Sequence, residues 1–368
     1  MPKTFLVQCI FIAASLLACV PTPVAAQAVA SPYQVIDDAV AAEMKRQQIV
    51  GAAVGIISDS KLVYAQGYGF ANVGNQTEVS SDTIFNWASN SKPLMAIAAM
   101  QLVQKRQLNL DQPIVSYIPS LPDQMKQITT RQLLSHQSGI PHYSNGKVIP
   151  SGKTIEPLAE LDPLNSLNRF LLSPLIFQPG TKTEYSSYAY VLLSAVVQAA
   201  GKSPIEQQIQ DRIVKPLRLN SFQMDMPFQQ QRDWTKAYVV FQNGTPAEVP
   251  DYAHFWKHGA GGYKSNVKDF AKFGLALASA KLIHPQTTAE MWTAQKTKTG
   301  ATSTYGLGVV VSGSGQTLKI SHNGSQDETR TRMVFYPNQK HGIVVMCNTR
   351  AADPGKISTA IYSALNRR

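Results

Sequence analysis

Strand-forming segments lie near both ends of this chain, and this distribution constrains its fold more than any other sequence feature. The first apolar strand is predicted over residues 50–57, and a turn at 59–61 leads into a returning strand at 62–70. Near the other end, strand patterns occupy residues 306–311, 317–321, 329–336 and 343–347. Helical periodicity flanks the strands at 34–47 and 357–365. These patterns predict an α+β fold: one antiparallel sheet built from both ends, flanked by terminal helices, with a mostly helical lobe inserted.

The length and apolar content of the chain indicate how it is divided. With 368 residues, 44% of them hydrophobic, the chain can bury a core, which excludes wholesale disorder. A single core rarely grows beyond ~250–300 residues, so two packed lobes are expected. We predict a sheet lobe from residues 27–107 and 292–368 and a helical lobe from 108–291, which together form one unit. The crevice between the lobes is the expected place for a functional site.

The segment before Gln27 resembles a secretory signal rather than part of the fold. A positively charged start precedes an apolar run over residues 5–20, which is short for a membrane span, and small residues at 24–26 precede the expected cleavage point. We therefore predict a signal peptide over residues 1–26 and a secreted or periplasmic protein. Leu-Leu-Ala-Cys, ending at Cys19, also resembles a bacterial lipobox, so a lipoprotein attached to the membrane through Cys19 is the alternative.

The charge balance and the cysteine spacing limit the partners that the chain can have. The formal net charge is +11, but Lys and Arg are scattered without a basic block, which is typical of a solvated surface. Together with secretion, this pattern argues against a nucleic-acid partner. Cys347 is the one cysteine outside the predicted signal, and its apolar strand predicts a buried thiol. No Cys/His spacing is typical of a zinc site, and no metal or other cofactor is predicted.

A Ser-x-x-Lys motif, Ser89 and Lys92, stands at the start of a helix predicted over residues 91–105, which is apolar nearly all round. Three residues are about one helical turn, so the two side chains share a face. A lysine beside a serine hydroxyl in a dry crevice loses its proton more easily and can help to deprotonate that serine. Alone the motif is weak, because a helix cap followed by a surface lysine has the same spacing.

Five segments, in order along the chain, give this motif its context. They are FNWASNSKP at 85–93, TRQLLSHQSGIP at 130–141, the YSS of 185–187 within 180–193, GAGGYKS at 259–265 and HNG at 322–324. Through them, the chain from residue 35 to its C-terminus resembles the β-lactamase-related serine hydrolases. That family includes class C β-lactamases, serine D-Ala-D-Ala carboxypeptidases, D-aminopeptidases and β-lactamase-like esterases.

The resemblance implies a β-lactamase/transpeptidase-like fold and a role for each matching residue. Ser89 would attack a carbonyl and become acylated, and Tyr185 would relay a proton between Ser89, Lys92 and the leaving group. The Tyr185 phenol would need the nearby ammonium of Lys92 in order to act as a base. The N–H groups of Ser89 and Ser325 would form the oxyanion hole, and Gly324 would keep this backbone free of a side chain that crowds the substrate.

Two residues depart from the family pattern, and both are predicted to bind substrate. Ser187 stands where the family usually has Asn, and it offers a shorter contact to a substrate amide. His322 stands where class C β-lactamases have Lys, and a neutral or partly charged imidazole is a weaker anchor for a substrate carboxylate. Arg330 or Arg332, on the next strand, is an alternative anchor, although at least one of them is expected to face solvent.

Other residues that attract attention are assigned no chemical role. Lys-Thr-Gly at 298–300 spells the family's third motif, but it precedes the expected position and its neighbours predict an exposed loop. His136 and His142 are predicted to shape a loop. The remaining histidines are expected at the surface or in loops: His254, His258, His284 and His341. The sequence holds no G-x-S-x-G, which excludes an α/β-hydrolase elbow.

These observations predict a serine hydrolase that acts through an acyl-enzyme on esters or on peptides containing D-amino acids, without a metal or nucleotide cofactor. Its substrate would be a small-molecule ester, peptide or β-lactam. Two alternatives stay open: a class C-like β-lactamase, and a catalytically silent penicillin-binding or scaffold protein of the same fold. The sequence predicts no particular oligomeric state.

Overall fold

The structure is a computed structural model that describes Met1 and residues 33–227, 234–250 and 252–366. The rest of the predicted signal segment, including Cys19, lies outside the described residues. From Val35 onward the described residues form one compact unit. None of the helices in these ranges is long and apolar enough to span a membrane.

Helices and strands alternate irregularly along the chain. The α-helices are α1 Gln34–Gln47, α2 Ser91–Gln104, α3 Thr130–Leu134, α4 Pro163–Ser166, α5 Ser187–Gly201, α6 Ile205–Ile209, α7 Lys215–Leu217, α8 His258–Gly261, α9 Val267–Ala278, α10 Pro285–Met291 and α11 Pro354–Leu365. The strands are β1 Gly51–Ser58, β2 Lys61–Asn72, β3 Thr77–Glu78, β4 Phe85–Asn86, β5 Gln223–Met224, β6 Ala237–Val240, β7 Pro246–Val249, β8 Tyr263–Ser265, β9 Val310–Ser312, β10 Lys319–Gln326, β11 Thr329–Tyr336 and β12 His341–Cys347. Two 3₁₀ turns matter for the site, Ala88–Asn90 before α2 and Phe255–Lys257 before α8.

The main sheet has seven strands in the order β3-β2-β1-β12-β11-β10-β9, and every neighbouring pair is antiparallel. Strand β1, from the start of the chain, pairs with β12, from its end. The register runs from Ala52 opposite Cys347 to Ile57 opposite Gly342. The prediction of one antiparallel sheet built from both ends is confirmed, and the Cys347 thiol is buried as expected.

Helices cover the central strands because these strands are apolar on both faces. All β1 residues except Ser58 are buried. Helix α9 packs against β1, β2, β11 and β12, whereas α11 packs against β11 and β12. Gly55 of β1 allows α9 to approach, since a Cβ there would press on Val344 and lie 3.3 Å from Ala271 of the helix. Burial of these apolar faces stabilises the sheet by roughly 25 cal/mol for each Å² removed from water.

Helix α2 is the centre of the helical part of the molecule. All but its last two residues are buried, as its apolar sequence predicts, and it contacts α5, α8, α9 and α10. The same part holds two small sheets that the sequence does not predict, β4-β8-β5 and β6-β7. Their strands are two to four residues long, which is too short to show a period of two.

Two predicted elements differ from the structure. The strand predicted over residues 306–311 is mostly a loop, and β9 covers only Val310–Ser312. The loop lies against α2 at Gly308, whose φ is 86° and whose missing Cβ would overlap Ala96. The strand predicted over 317–321 also differs, because β10 covers Lys319–Gln326.

Strand β10 extends further than predicted, and this extension positions part of the site. The predicted end is residue 321, whereas the strand runs to Gln326. Strand β9 pairs only with Lys319 to Ser321, so the second half of β10 has no strand partner on that side among the described residues. This half instead contacts the 3₁₀ turn that carries Ser89.

Candidate active site

Ser89 lies in a tight turn between β4 and α2 whose backbone is held in an unusual conformation. The preceding residue, Ala88, has a φ of 48°, in the left-handed region that non-glycine residues rarely adopt. The side-chain oxygen of Asn86 accepts a hydrogen bond from the Ala88 N–H at 2.6 Å and supports this conformation. Such local strain is often retained where a reactive side chain must be presented.

Strand β10 presses directly against this turn at Gly324. A Cβ on Gly324 would overlap the carbonyl oxygen of Trp87 and the hydroxyl of Thr331. The Asn90 side chain ties the two elements together, because its amide donates to the His322 carbonyl at 3.1 Å and accepts from the Gly324 N–H at 3.2 Å. Glycine is therefore required by contact with the turn. Gly324 itself is not among the residues that line the cavity.

Lys92 is completely buried beneath Ser89. Its Nζ lies 3.1 Å from the Ser89 Oγ, 3.1 Å from the Ser187 Oγ and 2.7 Å from the Ala260 carbonyl oxygen. Burial lowers the pKa of Lys92 well below its usual value, and the positive charge of Lys257 lowers it further. The Lys92 nitrogen donates to these three oxygens. Its lowered pKa eases the loss of a proton, which leaves an amine whose lone pair can accept the Ser89 proton.

Tyr185 faces the same serine from the other side. Its hydroxyl donates to the Ser89 Oγ at 2.7 Å, and its ring centre lies 4.9 Å from the Lys92 Nζ. Burial raises the pKa of Tyr185 far above neutrality, although the hydrogen bond with Ser89 offsets part of the rise. The phenol therefore keeps its proton. Burial thus opposes a charge on either group, whether the ammonium of Lys92 or the phenolate of Tyr185.

Two histidines hold the segment that follows Tyr185. The Ser186 N–H donates to His136 Nδ1 at 3.2 Å, and the Ser187 N–H donates to His142 Nδ1 at 3.2 Å. Both imidazoles can accept because burial keeps them neutral, lowering the pKa of His142 to about 4 and that of His136 well below its usual value. The prediction that these histidines shape a loop agrees with the structure, and the loop is the one that carries Tyr185.

His322 lies on the side of the cavity that strand β10 forms, the β10 wall, and it is neutral. Its Nδ1 donates to the Asn323 carbonyl oxygen at 2.7 Å. Burial lowers the pKa of His322 to about 3, with a smaller contribution from Lys92, and the hydrogen bond with Asn323 opposes the change. Of the two states considered from the sequence, neutral or partly charged, this environment favours the neutral imidazole. A neutral imidazole does not supply the positive charge that would hold a substrate carboxylate.

The two arginines of β11 lie in different places. Arg330 lines the cavity and donates to the Thr329 carbonyl oxygen at 2.8 Å. Arg332 lies away from the cavity and donates to the Asn323 side-chain oxygen at 2.6 Å. Ser325 lines the cavity from the part of β10 that faces Ser89. Of the two alternative anchors, only Arg330 reaches the cavity.

These elements enclose a cavity of about 600 Å³. The predicted site residues that line it are Ser89, Tyr185, Ser187, His322 and Ser325, with Lys92 directly beneath. Residues 298–300 do not contribute to its wall, so the out-of-place Lys-Thr-Gly lies outside the site. The described residues hold no cluster of three or more His, Cys, Asp or Glu side chains that could bind a metal ion.

Several lining residues were missed by sequence reasoning: Tyr143, His254, Lys257, Asp327 and Arg350. His254 lies in a loop as predicted, although it is buried, whereas the prediction is wrong for His258, which is buried at the start of α8. His254 Nε2 lies 2.5 Å from a carboxylate oxygen of buried Glu328. The sequence clue that could have identified Lys257 as a cavity residue is its position beside Trp256, immediately before the 259–265 segment. That clue is ambiguous, because an aromatic residue next to a lysine is also typical of an exposed surface.

The fold and this geometry define a class: the penicillin-binding and β-lactamase-fold serine hydrolases. The Beta-lactamase family model matches residues 36–366, and the chain belongs to that family. Protein flp of Staphylococcus aureus strain MW2 is 24% identical over 326 residues, which cover 86% of this chain and 63% of flp. The chain thus spans less than two thirds of the length of that relative.

Solved structures show the same fold at low sequence identity. The octameric penicillin-binding protein homologue from Pyrococcus abyssi superposes with a TM-score of 0.75 at 22% identity, covering 92% of this chain and 77% of that one. The D-amino acid amidase from Ochrobactrum anthropi SV3 superposes with a TM-score of 0.74 at 19% identity, covering 90% and 98%. The β-lactamase/transpeptidase-like fold implied by the sequence is confirmed.

Proposed function

We propose that this protein hydrolyses esters, or amides and peptides of D-amino acids, through an acyl-enzyme on Ser89. One observation carries the proposal: the Ser89 Oγ lies between a buried Lys92 amine at 3.1 Å and the Tyr185 hydroxyl at 2.7 Å. A base and an acid on opposite sides of one hydroxyl are what acyl transfer through serine requires.

Acylation follows from these contacts. The Ser89 Oγ attacks the substrate carbonyl carbon and its proton passes to the Lys92 lone pair, while the N–H groups of Ser89 and Ser325 stabilise the oxyanion. Tyr185 gives its proton to the leaving oxygen or nitrogen as the bond to the carbonyl carbon breaks, and the proton held on Lys92 replaces it. Water then attacks the acyl-enzyme and Ser89 recovers its proton, so that the products are a carboxylic acid and an alcohol or amine.

The substrate class follows from what the β10 wall lacks. His322 is neutral and offers a β-lactam carboxylate no positive charge. Ser187, at the start of α5, is shorter than the usual Asn and accepts a hydrogen bond from Lys92, so it offers a β-lactam amide a weaker contact. This favours esters and D-amino-acid derivatives over the class C-like β-lactamase alternative. The similar fold of a D-amino acid amidase supports the amide arm of the proposal. The assembled Ser89, Lys92 and Tyr185 argue against a catalytically silent scaffold.

Covalent labelling tests the proposal. A fluorophosphonate probe should add its mass to the peptide that contains Ser89, and Ser89→Ala should abolish labelling. Turnover should then be compared across a p-nitrophenyl ester, a D-Ala-D-Ala peptide and a chromogenic cephalosporin, with the cephalosporin slowest. Labelling that maps to Ser91 or Ser187, or that persists in Ser89→Ala, would contradict the assignment.

We also propose that residues 1–26 direct export and are removed. The support is the sequence pattern alone, a charged start, an apolar run and small residues before Gln27. Mass spectrometry of the exported protein should find an N-terminus at Gln27. A diacylglyceryl group on Cys19 would instead establish the lipoprotein alternative.

A further inference from the structure

Among the described residues, one charged group of the cavity has neither a hydrogen-bond partner nor an ion-pair partner. Lys257 ends the 3₁₀ turn before α8, lines the cavity and is only 8% exposed. Its ammonium lies 5.4 Å from the ring centres of both Tyr143 and Trp256. Within residues 33–227, 234–250 and 252–366, no group accepts a hydrogen bond from it and no carboxylate oxygen lies within 4.0 Å. An ammonium buried in this way is costly unless something pairs with it.

The other cations of the cavity are already engaged. Arg350 pairs with Asp327 at 3.0 Å, and Arg330 donates to the carbonyl oxygens of Gln326 and Thr329. Arg169, which stacks on the Trp256 ring, pairs with Glu160. Among the described residues that line the cavity, Lys257 is therefore the lysine or arginine that has no hydrogen-bond or ion-pair partner.

The position of Lys257 links it to the reacting centre. Helix α8 follows it directly, and the Ala260 carbonyl of that helix accepts the hydrogen bond from Lys92. The two lysines are close enough for the charge of Lys257 to lower the pKa of Lys92. One small substrate could therefore contact Lys257 and Ser89 at the same time.

We propose that Lys257 binds a carboxylate of the substrate and selects anionic over neutral substrates, so that the anchor lies beside α8 rather than on β10. This inference rests on the proposed function and names its substrate class. Lys257 is a point charge between two aromatic rings and lacks the paired N–H groups of an arginine. Such a site fits a ligand with a single negative charge on an apolar chain. The rings of Tyr143 and Trp256 would flank that chain, and cation–π contact keeps the ammonium in place when no substrate is bound.

Two p-nitrophenyl esters of equal chain length test the inference: the hexanoate, which is neutral, and the adipate monoester, which carries a terminal carboxylate. In Lys257→Met, kcat/KM for the adipate monoester should fall about 10- to 150-fold, as expected for one lost hydrogen bond to a charged group. The hexanoate has no carboxylate to bind and should lose much less, and the loss with the adipate monoester should lie mainly in KM. Lys257→Arg should recover part of the adipate activity, and the ion-paired surface variant Lys215→Met should match the wild type.

Equal losses with both esters would overturn the inference, because they would mean that Lys257 acts through Lys92 or through the fold. Unchanged rates with both esters would overturn it as well. Binding separates this inference from the proposed function: calorimetry on Ser89→Ala should detect monomethyl adipate, and the Lys257→Met double variant should not. Lys257-dependent binding without ester turnover or probe labelling would refute the hydrolase proposal alone. Turnover without selectivity would refute only the anchor.

Discussion

The start of α2 and the turn before α8 each bring a buried lysine to the same cavity, and the two lysines differ in what surrounds them. The Lys92 nitrogen has three oxygen neighbours, two hydroxyls and a carbonyl, all of them neutral. Lys257 has no hydrogen-bond partner among the described residues, but Glu328, Asp225 and Asp327 lie near enough for their charges to support its own.

Nearby carboxylates, rather than the number of hydrogen bonds, decide the charge of a buried lysine in this protein. Burial lowers both pKa values, that of Lys92 well below its usual range and that of Lys257 only to about 8. Neutral oxygens can form hydrogen bonds with an uncharged amine, but they do not offset the free-energy cost of removing water from an ammonium. Lys92 is thus suited to accept a proton, whereas Lys257 keeps a charge that can bind an anion.

The largest expected effect separates the two lysines directly. Lys92→Met keeps the volume of the side chain but removes the base, so acylation by p-nitrophenyl hexanoate should fall about 10⁴-fold, the upper end for a general base. Lys257→Met is the matched control and should leave this neutral ester almost unaffected. Stopped-flow release of p-nitrophenol measures both. Similar losses in the two variants would show that the lysines do not have distinct roles.

Tyr185→Phe should have the next largest effect. It removes only the phenol oxygen, which is bonded to Ser89, so packing should be retained and turnover should fall about 10²- to 10³-fold. The loss should be greater for an amide than for a p-nitrophenyl ester, because an amine leaving group needs the proton more. A folded variant with near-normal amide turnover would mean that Lys92 moves both protons.

Sequence patterns predicted the parts of this fold that repeat over many residues. Strand β11 and helix α1 have the predicted bounds, because one shows continuous strand character and the other a sustained helical period. The strand predicted over 306–311 is wrong for most of its length because Gly308 lies against Ala96 of α2, a contact between residues distant in sequence. Two-residue strands such as β4 carry too little pattern to be predicted.

The site shows the same division between local pattern and tertiary environment. Motif spacing identified Ser89 and Lys92, the family resemblance implied Tyr185, and the structure places the three side chains together. The charges of His322 and Lys257 could not be predicted, because each depends on burial and on neighbours from other segments. His254 and Lys257 were missed for the same reason: a polar residue in a loop sequence gives no sign that the loop folds inward.

The third prediction concerns pH: selectivity for the anionic ester, which depends on protonated Lys257, should change about tenfold. Lys257 binds a carboxylate only while protonated, so selectivity for the adipate monoester over the hexanoate should be constant from pH 5.5 to 7. It should then fall about tenfold by pH 9, one unit above the pKa of about 8. Glu328, Asp225 and Asp327 raise that pKa and Arg169 lowers it. Titration of Lys92 affects both esters and cancels in the ratio of their kcat/KM values. A selectivity that rises with pH would contradict the anchor.

The smallest expected effect concerns the β10 wall and decides which side of the cavity holds a carboxylate. His322 is neutral throughout the range in which the enzyme would be assayed, since its pKa is about 3. Its Nδ1–H is directed to the Asn323 carbonyl, so only an uncharged ring nitrogen is left for substrate. His322→Gln keeps a donor and an acceptor at similar reach and removes no charge. Selectivity for the adipate monoester should therefore change less than about threefold, while Lys257→Met in the same assay abolishes it. If His322→Gln instead removes the selectivity and Lys257→Met does not, the anchor lies on β10, and the neutral state assigned to His322 must give way to a protonated one when substrate binds.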